Sequence, residues 1–306
     1  MPIPARIQVW LETVPALMRA VGATHVSLAS HSCGVIYALN TLYAMPQIIP
    51  PDRQALYLFA PWVPPAHSGV KLTSAGALLP SGLMDRFDSL VSFVNTHVAA
   101  PVGMSSAAVS ALASPIANVA SSLFTTQEER ERKNSDKEHE RSDLVGRLRG
   151  HYGCDGEKEA TALFKEVMRR VFLEDTTGGN DEMKLCLRKP EAGTWGECDS
   201  YEGFPQRLDK RLRGRLWTDG DRSRRFHVGA SWAEEDILVG KGGARYFDKC
   251  FELFGGASEV SCLVYRRETV PRTDHDSVSL PHNLAMPRIL REIPGKESMG
   301  DSRANN

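Results

Sequence analysis

Hydrophobic and polar residues follow two different periods along this chain, one typical of helices and one typical of buried strands. Apolar residues recur at helical spacing over residues 8–21, although Pro15 interrupts the run, and again after Gly34. The short β-prone segment 25–30 lies between them, and the continuous apolar run 55–60 follows. Runs of this kind are found in parallel strands buried on both faces. The pattern therefore predicts an α/β fold with a parallel sheet.

The same alternation resumes towards the C-terminal end. Segments 226–230 and 259–265 are predicted strands, and the helix predicted between them carries apolar residues on one face: Tyr246, Phe247, Cys250, Phe251 and Phe254. A second α/β stretch therefore follows the first at some distance along the chain.

The block between the two stretches has a different composition. Residues 89–127 contain no Asp, Glu, Lys or Arg, residues 128–143 form a nearly uninterrupted mixed-charge run, and residues 160–173 return to helical spacing. This favours a mostly helical cap or lid inserted into an α/β core. The predicted organisation has four regions: an N-terminal core segment over 1–65, the cap over 66–205, a C-terminal core segment over 206–295, and a disordered tail over 296–306.

Composition narrows the class of protein. The chain has 306 residues, of which 42% are hydrophobic and 25% charged, so global disorder and fibrous repeats are excluded. With 37 basic against 38 acidic residues, the net charge gives no argument for nucleic-acid binding. The six cysteines include no C-x-x-C pair, so disulfides and structural zinc are only weakly indicated. No metal and no cofactor is predicted.

Two surface patterns suggest partners only weakly. The basic stretch 207–225 could contact phosphate or nucleic acid, but Trp217 is its only aromatic residue, so a solvated helix and loop is favoured. The charge-poor segment 89–127 is rich in Ser, Pro and other polar groups, which favours a lid over membrane contact. The first residues lack the layout of a secretory signal, so a cytoplasmic location is predicted.

The most informative segment is Ser-His-Ser-Cys-Gly at positions 30–34, between a predicted strand and a predicted helix. On such a turn the central Ser32 is held in a strained conformation with its hydroxyl exposed, and small neighbours let the turn close. The backbone N–H of Cys33 then points to where an oxyanion would form. A backbone role suits Cys33 better than a role as nucleophile.

This segment resembles the nucleophile elbow of the α/β-hydrolase family, and the resemblance extends over residues 7–65 and 220–293. The family motif normally begins with Gly, where this chain has Ser30. With the run Ala-Pro-Trp-Val-Pro-Pro at 60–65, the chain looks similar to uncharacterised fungal members. Because the nucleophile position is not Asp, the family's dehalogenases and epoxide hydrolases are disfavoured.

The resemblance implies a catalytic triad. In the family an acid follows a later strand and a His follows the last one. Asp236 matches the acid, with Glu235 as the reserve, and His275 matches the base. The expected activity is hydrolysis of an apolar carboxylic ester or similar acyl substrate through an acyl-enzyme on Ser32.

The resemblance also implies that some family elements are missing. The family has roughly four strands before the nucleophile strand and a loop that supplies a second oxyanion donor, whereas only about 24 residues precede this strand here. The chain is therefore expected to form a half-sheet with the Ser32 strand at its edge. A noncatalytic hydrolase remnant or interaction module remains the alternative.

Overall fold

The structure is a computed structural model that describes residues 1–85, 145–255 and 261–292, apart from 147, 172, 176, 218–221 and 284. The predictions for the charge-poor segment, the mixed-charge run and the tail lie outside these residues. The strands are β1 (Leu28–His31), β2 (Ala55–Phe59), β3 (Phe226–Glu235) and β4 (Leu263–Asp274).

The helices alternate with the strands in the two α/β stretches and occur in succession between them. They are α1 (Arg6–Ala20), α2 (Gly34–Ala44), α3 (Pro65–Ser68), α4 (Lys71–Leu78), α5 (Ser81–Met84), α6 (Glu157–Val171), α7 (Thr177–Cys186), α8 (Phe204–Leu216), α9 (Gly240–Gly255) and α10 (Ala285–Glu292). Within the described ranges, no helix combines the length and apolarity needed to cross a membrane.

The four strands form one parallel sheet in the order β1-β2-β3-β4. Among the described residues β1 pairs only with β2, so the strand that leads to Ser32 is an edge of the sheet. The predicted α/β class, with a parallel half-sheet and a helical insertion, is confirmed.

The last strand is longer than the sequence pattern predicts. The apolar run suggested a strand over 259–265, whereas β4 begins at Leu263 and continues to Asp274. The part of β4 beyond Tyr265 contains the exposed Arg266, Arg267 and Arg272, which conceal the strand from a hydrophobicity pattern. Charged residues are tolerated there because, within the described residues, β4 is the other edge of the sheet.

The two faces of the sheet are covered differently. One face buries Leu56, Leu58 and Val228 and packs on an aromatic group from β3, β4, α8 and α9: Trp232, Tyr265, Phe204, Phe247 and Phe251. The other face packs on α10 through a small apolar cluster that includes Phe59 and Ile289. The sheet is therefore buried most completely on the α9 side.

The chain divides into two compact units. The first comprises residues 1–81, 181–279 and 283–306, and it contains the whole sheet and every candidate catalytic residue. The second comprises residues 82–180 and 280–282. In the second unit α6 corresponds to the helix predicted over 160–173, and Glu166 pairs there with Arg169 and Arg170.

Candidate active site

Ser32 lies on a sharp turn between β1 and α2. Its φ of 53° is in the left-handed region, which a residue with a side chain adopts only under strain. Three backbone hydrogen bonds hold this conformation: Ser32 N–H donates to the Phe59 carbonyl (2.9 Å), and the Ser32 carbonyl accepts from Val35 (3.1 Å) and Trp62 (3.2 Å). The strain is thus supported by the neighbouring strand β2 and its following loop.

The small residues around Ser32 let this turn close. A Cβ atom at Gly34 would lie 3.3 Å from the Ser30 Cβ, which is tighter than ordinary contact. The turn therefore favours glycine at position 34, opposite a small residue at position 30. Ser30 is small, although it has a Cβ atom that the usual glycine of the motif lacks.

The three candidate catalytic side chains form one hydrogen-bonded chain. The Ser32 Oγ lies 2.8 Å from Nε2 of His275, and Nδ1 of His275 lies 2.8 Å from Oδ2 of Asp236. The carboxylate can only accept, so it fixes the proton on Nδ1 and leaves Nε2 free to accept the Ser32 hydroxyl proton. These residues follow the carboxyl ends of β1, β3 and β4, which meet at one edge of the sheet.

Asp236 is held in its ionised form. Its side chain is 6% exposed, and its Oδ1 accepts the backbone N–H groups of Leu238 (2.9 Å) and Val239 (2.8 Å). Burial raises the pKa of Asp236, but the hydrogen bond and charge of His275, together with the two backbone donors, outweigh it and hold the pKa below its ordinary value.

The depressed pKa of Asp236 predicts a pH-dependent contribution to stability. It is complete above the unfolded-state pKa, about 3.9, and is lost as the pH falls through the lower folded-state pKa. We expect the protein to have a higher free energy of unfolding than Asp236→Asn. This difference should be largest near neutral pH and should shrink below about pH 4. Urea denaturation of both proteins across this range measures the difference, and a constant excess would contradict the prediction.

His31 also contacts His275, although no role was predicted for it. Its Nε2–H donates to the backbone carbonyl of His275 (2.7 Å), and the two rings lie 5.1 Å apart. Burial lowers the pKa of His31 and so favours the neutral ring. His31 therefore fixes the position of the His275 loop. Its place one residue before the nucleophile was the only available signal.

The low expectation for disulfides was wrong at one pair. Cys33 forms a disulfide with Cys186, 153 positions later, and their Cα atoms lie 6.1 Å apart. Only the fold brings these residues together, so their spacing in the sequence carried no signal. Cys33 accordingly has no free thiol, and it immediately precedes the first residue of α2.

The disulfide should stabilise the protein. Cross-linking a long loop restricts the unfolded chain, so we expect Cys33→Ala/Cys186→Ala to lower the free energy of unfolding by roughly 2–4 kcal/mol in urea denaturation. Alkylation of the unfolded protein, read by mass spectrometry, should modify four cysteines without reductant and all six after reduction. Modification of all six without reductant would show that the disulfide is absent.

Among the described residues, one group of side chains offers possible metal ligands. Donor atoms of His31, His275 and Asp276 lie within 4.8 Å of one another. Both ring nitrogens of His275 already bond to Asp236 and Ser32, so a metal at His275 would break one of these hydrogen bonds. The observed geometry therefore suits proton transfer better than metal binding.

The reserve acid does not reach the histidine. Glu235 is exposed at the end of β3, whereas Asp236, the next residue, is the one whose carboxylate reaches His275. β3 continues to Glu235, beyond the predicted end near Ala230, so the acid follows the strand directly.

Comparison with known proteins gives only distant likenesses. No family model matches the chain, and no curated protein does. Two solved structures are similar: BpoC of Mycobacterium tuberculosis, assigned as a non-heme bromoperoxidase (12% identity, TM-score 0.40, covering 94% of this chain and 75% of that one), and Cfl2 of Burkholderia cenocepacia (15%, 0.40, 95% and 72%).

Proposed function

We propose that the protein is a serine hydrolase of the α/β-hydrolase family that cleaves a carboxylic ester or similar acyl substrate through an acyl-enzyme on Ser32. The observation that carries this proposal is the hydrogen-bonded chain from the Ser32 hydroxyl through His275 to the Asp236 carboxylate. The left-handed turn at Ser32 adds to it, because this strained conformation presents the hydroxyl between a strand and a helix.

The geometry defines a role for each group. His275 Nε2 takes the Ser32 proton as Oγ attacks the acyl carbon, and Asp236 stabilises the imidazolium that forms. The tetrahedral oxyanion accepts a hydrogen bond from the Cys33 N–H, at the positive end of α2. His275 then protonates the leaving alcohol, and water attacks the acyl-enzyme with the same residue as base.

The proposal also covers the polarity of the substrate and the cellular location of the protein. The charge-poor segment 89–127 favours an apolar acyl or alcohol group. The disulfide Cys33–Cys186 weighs against the predicted cytoplasmic location, because disulfides persist mainly in oxidising compartments.

A fluorophosphonate probe tests the proposal, because it reacts covalently with an activated serine. The folded protein should be labelled at Ser32, and Ser32→Ala should abolish labelling. Ser30→Ala is the matched control: the Ser30 hydroxyl is buried two residues away and lacks a hydrogen-bond partner among the described residues, so labelling should persist.

The alternative is a noncatalytic remnant of a hydrolase. Such a remnant would lack a second oxyanion donor, and losing one donor typically costs about 100- to 1000-fold in turnover. Folded protein that the probe leaves unlabelled would overturn the hydrolase proposal and support the remnant.

A further inference from the structure

One face of the sheet is only partly covered by the residues that the structure describes. Tyr57, Gly229 and Arg266 are neighbours in register and share this face. The helix α10 covers the carboxyl half of the face, where Ile289 packs in the cluster with Phe59. The remaining half borders a cavity of about 790 Å³. Parallel sheets are normally covered on both faces, so this opening is unusual.

The cavity is separate from the candidate active site. Its rim contains Arg53, just before β2, and Arg224 and Arg225, just before β3. These positions are at the amino ends of the strands, whereas the triad follows the carboxyl ends. None of the three triad residues lines the cavity. Its occupant would therefore not be the acyl substrate.

The cavity carries an excess of positive charge. Six arginines line it, and two of them already pair with carboxylates: Arg267 with Asp248 and Arg288 with Glu268. The other four, here called the cavity arginines, form no salt bridge with a described residue: Arg53, Arg224, Arg225 and Arg266. Asp52 is the one remaining acid among the described residues that line the cavity.

The positive charges around the cavity are not fully balanced by hydrogen-bond acceptors or negative charges among the described residues. The Nε of Arg53 is buried and has no hydrogen-bond partner among the described residues. Burial and then the charge of Arg266 lower the pKa of His227, which also lines the cavity. Burial and then the charge of Arg224 lower the pKa of Arg215, which supports the Arg53 loop through Gln54. An anion placed here would relieve this crowding of like charges.

We propose that this cavity binds a phosphorylated small molecule, with its phosphate groups on the cavity arginines and its organic moiety over Gly229, beside the Tyr57 ring. The four cavity arginines carry more positive charge than one carboxylate neutralises, which favours a ligand with several negative charges. The two parallel N–H groups of a guanidinium also match the spacing of phosphate oxygens. The volume lies in the range of small-molecule sites, about 300–1000 Å³. Arg224 and Arg225 belong to the basic stretch 207–225, so the end of that stretch would bind phosphate.

Gly229 leaves the space that the organic moiety would occupy. A Cβ atom there would meet nothing nearer than the Tyr57 ring at 3.9 Å, so the strand itself has room for a side chain. The substitution Gly229→Leu should therefore fill the cavity without changing its charge.

Isothermal titration calorimetry with adenosine diphosphate, inorganic pyrophosphate and adenosine tests the proposal. Adenosine diphosphate should bind, its affinity should fall as salt rises, and adenosine should bind at least about tenfold more weakly because it lacks phosphate. Pyrophosphate should bind more weakly than the diphosphate because it lacks the organic moiety. Failure of both phosphates to bind, or equal affinity of adenosine, would overturn the proposal.

Variants locate the site. Gly229→Leu and Arg266→Gln should each weaken adenosine diphosphate at least about tenfold, whereas Arg19→Gln, an exposed arginine on α1, should leave the affinity unchanged. Thermal unfolding checks that Gly229→Leu folds, and the exposed Arg266→Gln keeps the test decisive if it does not. Unchanged affinity in Arg266→Gln and in folded Gly229→Leu would place binding elsewhere and overturn the cavity site.

Discussion

Replacing His275 with alanine is expected to lower the turnover of an activated ester such as para-nitrophenyl acetate by about 10⁶-fold. The Ser32 hydroxyl would lose the base that lies 2.8 Å away, and a neutral serine hydroxyl is a weak nucleophile. The rate is measured by following the appearance of the coloured phenolate over time at a saturating concentration of the ester.

A matched histidine variant separates loss of chemistry from loss of fold. His25 is exposed and contacts the neighbouring Thr24, so His25→Ala should keep its full rate. Thermal unfolding of both variants should show that each is folded. A folded His275→Ala protein with an ordinary rate would show that hydrolysis does not use this triad.

Replacing Asp236 with asparagine is expected to lower the same turnover by about 10⁴-fold, by analogy with the corresponding change in other triads. An asparagine amide can donate its N–H to Nδ1 of His275, which would place the imidazole proton on Nε2 and block acceptance of the Ser32 proton. Turnover of both proteins, measured at several pH values, gives the size of this effect.

The adjacent carboxylate provides the control for this change. Glu235→Gln removes the same charge one residue earlier, on an exposed side chain. Its rate should match that of the unaltered protein. If Glu235→Gln and Asp236→Asn lowered the rate equally, general loss of negative charge would explain the effect, and orientation of His275 would not.

Local patterns predicted the features of the fold that depend on neighbouring residues. The apolar run 55–60 became β2, and the small residues at 30 and 34 closed the turn at Ser32. The triad residues were candidates because the resemblance to the α/β-hydrolase family implies an acid and a His after later strands. A parallel sheet gathers the carboxyl ends of its strands at one edge, which explains how residues so far apart in the sequence come into contact.

Features that depend on distant contacts could not be predicted in this way. The charged part of β4 beyond Tyr265 lies on an edge of the described sheet, where polar residues are compatible with a strand. The pair Cys33–Cys186 depends on how α7 meets the elbow. The cavity arginines come from three separate segments, so no single stretch of sequence carried their combined charge.

The disulfide between Cys33 and Cys186 also has a consequence for protease treatment. The bond closes the whole chain between these two cysteines, which are 153 positions apart, into a covalent loop. A single cleavage inside that loop would leave two fragments joined through sulfur, one with Ser32 and the other with Asp236 and His275. Cleaved protein should migrate as one species on a denaturing gel until a reductant separates the fragments.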